Sequence, residues 1–173
     1  GGTVRDVKFN THPLTWVAHP QYLLYTSIFA LLTIFIAHSL ARAMKVFLIL
    51  DALGLSAFVI IGSQKLLNYG LSSTTAVIGG MITGICGGML RDILCNDIPL
   101  VLRKELYAII ALSGGLLYIT LNNLHVSLGI NVTITLLFIF ISRLLAIFFH
   151  IEIPKFDYAS SLRKHRRYKN KQS

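Results

Sequence analysis

The chain has 173 residues, of which 54% are apolar and only 13% charged, with a mean hydropathy of +0.68. A soluble domain carries roughly 25% charged residues and a disordered chain has low hydrophobicity, so both are excluded in favour of one compact integral membrane domain. The net charge of +9 is not a nucleic-acid footprint, because seven of the sixteen Lys and Arg residues follow Ile153.

About 20 mostly apolar residues span a bilayer as a helix. Pro20 to Leu40 is the first such run and holds no formal charge. Val46 to Leu67 follows, with Asp51 near its start and Lys65 near its end. Thr74 to Leu90 is glycine-rich, Leu106 to Leu121 is the fourth run, and Ile130 to Ile151 carries Arg143. Five spans with short connections predict an all-α polytopic bundle, because open sheets are not viable in lipid and the alternation of a barrel is absent.

Lys and Arg fall on alternate connections: Arg42 and Lys45, then Arg103 and Lys104, then the tail beyond Pro154. The positive-inside rule places the carboxyl tail in the cytoplasm and the segment before Pro20 outside. The tail, 154–173, reads as a solvated or headgroup-touching basic extension.

Residues 1–14 align with residues 87–100 at a constant offset of 86, with seven of fourteen identities. Gly1, Gly2, Arg5, Asp6, Asn10, Pro13 and Leu14 match Gly87, Gly88, Arg91, Asp92, Asn96, Pro99 and Leu100. The chain therefore holds two copies of one unit, the first cut at its amino end. By the charge topology the two Arg-Asp pairs lie on opposite membrane faces, so the repeat is inverted. Inverted repeats place their pathway near the midplane, at interrupted helices. The organisation is a single transmembrane domain, 1–153, comprising a truncated first repeat at 1–45, a second at 46–121 and a last helix at 130–151. A complete first copy would add about one and a half helices before Gly1, making seven spans.

Gly80, Gly84 and Gly88 form a bare stripe at helical spacing. Close helix packing is one reading. The other is a break exposing carbonyls that replace part of a cation's water shell, and the presence of Gly-Gly-x-x-Arg-Asp in both halves favours it. Gly87 and Gly88 changed to Ala should then straighten the helix.

Charges at membrane depth need partners. Arg91 and Asp92 are adjacent and do not face each other on a helix, and Asp51 begins the preceding span on the same side, so an Arg91–Asp51 pair is expected. Lys65 either snorkels to the outer headgroups or stands as a positive gate in the pathway. Arg143 reads as a subunit contact or a lipid-headgroup ligand. No catalytic motif, phosphate loop or metal-ligand cluster appears, so neither an enzyme nor a resident cofactor is expected.

Gly87 to Leu94 followed by Ile98 to Leu102, with Asp51 to Phe58 upstream, resembles the prokaryotic trimeric intracellular cation (TRIC) channel family, also described as glycine-transporter-like membrane proteins. The resemblance covers roughly Gly1 to His150. It implies a seven-helix protomer of two inverted three-helix repeats plus a last helix, in the inner membrane. It also implies a homotrimer contacting membrane lipids, with a potassium pore in each protomer, potassium as the permeant ion and a bound lipid. The family's glycine-broken helices correspond to Gly1-Gly2 and Gly87-Gly88, and Cys86 replaces the first of three glycines in the second copy. The expected ion pathway is therefore Gly1, Gly2, Gly84, Gly87, Gly88 and Lys65, with Arg5, Asp6, Asp51, Arg91 and Asp92 as structural or gating charges. A secondary transporter of a small solute such as glycine, and a scaffold without transport, are the competing functions.

Overall fold

A computed structural model describes residues 1–40, 44–103 and 106–149, with side chains at 15, 33–40, 44, 45 and 103 excepted. The described residues fold as helices alone: α1 (Gly2–Lys8), α2 (Thr15–Ala18), α3 (Gln21–Leu40), α4 (Met44–Asn68), α5 (Ser73–Leu94), α6 (Leu100–Arg103), α7 (Leu106–Asn123) and α8 (Leu128–Phe148). The five long helices match the five apolar runs. Helix is the expected solution because lipid offers the backbone no hydrogen-bond partners. Four of them, α4, α5, α7 and α8, are long and apolar enough throughout to cross a membrane. The basic clusters at 42–45 and 103–104 lie largely, and the tail wholly, outside the described residues and side chains.

Helix ends follow local chemistry. Ser72 caps α5 by accepting the Thr75 amide at 3.3 Å. Gly70, at φ +75°, turns the chain out of α4, where the Leu71 amide donates to the Leu66 carbonyl. Such a left-handed residue after a helix favours glycine because it has no Cβ.

α4 is the central helix. It packs on α5, α7 and α8, and α5 also packs on α7. One core cluster joins Leu55, Val59, Ile85, Tyr107 and Ile139, and a second joins Ile60, Leu66, Val77, Tyr118 and Ile119. α1 lies against α5 and α4, and α3 follows through α2. Many Leu, Ile and Phe side chains face outward on α3, α4, α7 and α8. That exposure suits lipid contact, where apolar side chains replace the polar surface of a soluble protein.

The two repeat copies share a corner. Asn10 and Asn96 are both left-handed, at φ 52° and 57°. Phe9 donates to Arg5 O and Thr11 to Asp6 O at 2.9 Å, while Cys95 donates to Arg91 O at 3.0 Å and Asp97 to Asp92 O at 2.9 Å. Each residue pair obeys the offset of 86. Asparagine tolerates this conformation better than other side chains, so the repeated Asn has a backbone reason.

Candidate functional site

The second corner holds the expected Arg91–Asp51 pair, and against the expectation from helical spacing Arg91 also reaches its neighbour Asp92 by folding its long side chain back. Arg91 Nη1 donates to Asp51 Oδ1 at 2.8 Å, and Arg91 Nε donates to Asp92 Oδ1 at 2.9 Å. Asp92 Oδ2 accepts the Leu100 amide at 2.9 Å, tying the corner to the start of α6. The Arg91 guanidinium lies 4.5 Å from the Phe47 ring centroid, a cation–π distance. Asp51→Asn and Arg91→Gln should cost similar stability, and the double variant little more. Unfolding midpoints of the purified proteins measure this, and strictly additive losses would refute the coupling.

The first corner uses the same two residue types differently. Arg5 Nε and Nη2 donate to Asp6 Oδ1 at 2.9 and 2.7 Å, and Thr11 Oγ1 donates to the same oxygen at 3.1 Å. Lys65 Nζ donates to Asp6 Oδ2 at 2.8 Å. Here the aspartate, not the arginine, reaches α4. The Lys65 ammonium is thus held by a buried carboxylate. Asp51 and Lys65 are fourteen residues apart on α4, or about 21 Å at 1.5 Å per residue. The two Arg-Asp corners thus sit toward opposite ends of one helix, as an inverted repeat requires.

Between α4, α5 and α7 lies an open cleft of about 300 Å³. Its polar wall is Asp51, Arg91 and Tyr107, and its bare wall is Gly54, Gly84, Gly87 and Gly88. Asp51 is buried, its carboxylate held by Arg91 with the Tyr107 hydroxyl alongside. Gly84, Gly87 and Gly88 of the expected pathway therefore share one wall, whereas Gly1, Gly2 and Lys65 do not line it. Gly1 instead seats α1 on α5, where an added Cβ would strike the Thr83 carbonyl, and Gly2 faces the Arg5 guanidinium.

The glycine-broken helix is corrected in the second copy. α5 is continuous from Ser73 to Leu94, including residues 84–90. The stripe serves close approach instead. A Cβ on Gly80 would meet Val59 O at 2.6 Å, and one on Gly84 would meet Val59 Cγ2 at 2.8 Å. Packing against α4 holds the helix together where glycine alone would weaken it. A cation site made of carbonyls freed by a break in α5 is therefore withdrawn. Gly87 has open space where a Cβ would stand, and Gly88 faces the Tyr107 hydroxyl at 3.1 Å.

Arg143 also departs from expectation. It is only 2% exposed within the protomer rather than presented at its surface, its guanidinium 4.4 Å from the Tyr107 ring centroid. Sequence reading missed Tyr107 altogether. The available signal was the cost of an unpaired cation inside a span, which demanded a nearby aromatic or acid without saying which.

The comparisons with known proteins agree with this architecture. A family model described as Glycine transporter matches residues 48–123. The UPF0126 inner membrane protein YadS of Escherichia coli is 36% identical over 162 residues, covering 90% of this chain and 76% of YadS. The TRIC trimeric intracellular cation channel orthologue from Rhodobacter sphaeroides superimposes with a TM-score of 0.82 at 31% identity, covering 87% of this chain and 77% of that one. The chain belongs to the prokaryotic TRIC channel family. A second solved TRIC cation channel matches with a TM-score of 0.77 at 31% identity, covering 89% of this chain and 76% of that one. The TRIC assignment fits the helical fold and the inverted repeat, and makes this an integral membrane protein.

Proposed function

We propose that this TRIC family member is a passive monovalent-cation channel, chiefly for potassium, conducting through the cleft between α4, α5 and α7. The observation that carries the reading is the charged pair Asp51 and Arg91 on the wall of a cleft whose facing wall is bare glycine. The Asp51 carboxylate supplies negative potential to the cleft, where a charge acts more strongly than in water, and so favours entry of a cation over an anion. Arg91 keeps the site from binding that cation too tightly, because it already takes up Asp51 Oδ1. Conduction needs binding favourable enough for entry and weak enough for exit. The solved relative described as a trimeric intracellular cation channel orthologue supports the same reading and a homotrimer, YadS by its description supports the inner membrane, and the alternation of basic connections supports a cytoplasmic carboxyl tail.

The family model described as Glycine transporter favours a second reading. A zwitterionic amino acid could place its carboxylate on Arg91 and its ammonium on Asp51. Planar-bilayer recording and labelled uptake into proteoliposomes separate the two. Unitary currents reversing at the potassium equilibrium potential are expected, and Asp51→Asn should reduce them by about tenfold, the equivalent of about 1.4 kcal/mol on a barrier. Saturable glycine uptake without unitary currents would replace the channel with a transporter. Neither activity would leave a membrane scaffold.

A further inference from the structure

We infer that Arg143 on α8 is a second counter-charge of Asp51, and that it sets how strongly the cleft attracts cations. The consequence for flux rests on the channel reading; the charge coupling does not. Arg143 is buried against the face of Tyr107, and among the described residues no carboxylate lies within 4 Å of it. Among the described residues its Nε meets no acceptor. Tyr107 stands between Arg143 and Asp51: its ring carries the Arg143 guanidinium, and its hydroxyl lies at Gly88 beside Asp51 and Arg91. Asp51 and Tyr107 line the same cleft, so the one ring that carries Arg143 separates it from the Asp51 site.

The charge sum gives Arg143 its role. Asp51, Arg91, Asp92 and Arg143 total zero, and without Arg143 the cluster around the cleft carries one net negative charge. In a low-dielectric interior a unit charge acts over distances that water would screen. Cation–π contact alone gives a desolvated Arg only about 2 kcal/mol, so the surrounding carboxylates supply the remaining compensation. Arg143 is therefore a specificity-determining charge behind the wall, not a ligand in the cleft.

Two measurements test this on the full chain. Arg143→Gln should raise potassium conductance about threefold at about 0.01 M KCl, and the gain should vanish near 1 M, where the Debye length falls from about 30 to about 3 Å. Arg143→Lys keeps the charge and should conduct like the wild type. A Gln gain that Lys shares, or one that persists at high salt, overturns the inference in favour of plain packing. Arg143→Met serves in the same way if the Gln variant does not fold. The second measurement is a thermal-stability cycle of Asp51→Asn, Arg143→Gln and the double variant in detergent. Coupled shifts in Tm are expected. Additive shifts overturn the inference whether or not the wild type conducts, and coupled shifts in a protein without currents would keep the pairing while removing the channel reading.

Discussion

Asp6→Ala is expected to destabilise the protein by about 3–5 kcal/mol, because it strands a buried cation. Asp6 is fully buried and holds both Arg5, 2% exposed, and Lys65. Without it the Arg5 guanidinium keeps its burial and loses its counter-ion. The corner also loses the Thr11 hydroxyl bond. Lys65→Met removes the more exposed cation and leaves the Arg5–Asp6 pair intact, so its loss should be clearly smaller, about 1 kcal/mol. Equilibrium unfolding in mixed micelles of increasing SDS content measures both. A loss under about 1 kcal/mol for Asp6→Ala would mean that the first corner does not need its acid.

Gly80→Ala and Gly87→Ala should have opposite effects, although both residues lie on α5. A methyl group on Gly80 would run into Ser63 Oγ and stand 2.6 Å from the Val59 carbonyl oxygen, so α4 and α5 must separate. Overpacking of this kind costs about 1–3 kcal/mol, and the displaced atom is backbone, which places the change at the upper end. Gly87 has nothing within 4 Å of the added methyl group. There Ala should raise stability by up to about 1 kcal/mol through helix propensity. The same unfolding assay separates them, and similar values for the two variants would refute the packing role of the stripe. Because α5 is already continuous, any loss of current in Gly87→Ala would come from narrowing the cleft, not from straightening a break.

The spans were legible because lipid sets both their length and their composition, and the runs from Pro20, Val46, Thr74, Leu106 and Ile130 each became a long helix. The Asp51–Arg91 pair was legible because an arginine and an acid at the same depth of neighbouring spans have few other options. Lys65–Asp6 was not: 59 residues separate the partners, and the homologous pair in the second copy suggested an arginine as the reaching group. The glycine stripe misled for a different reason. Glycine lowers helix propensity and also permits close contact, and only the facing surface of α4, at Leu55, Val59 and Ser63, decides which property matters. Arg143 and Tyr107 lie 36 positions apart on helices whose mutual rotation no periodicity specifies.

The identical Arg-Asp letters grip α4 with opposite hands: the acid takes a lysine at one end and the base takes an aspartate at the other. Such a zwitterionic clasp accepts a partner of either sign without itself changing. One two-residue signature can therefore anchor both ends of a helix that offers a lysine at one and an aspartate at the other.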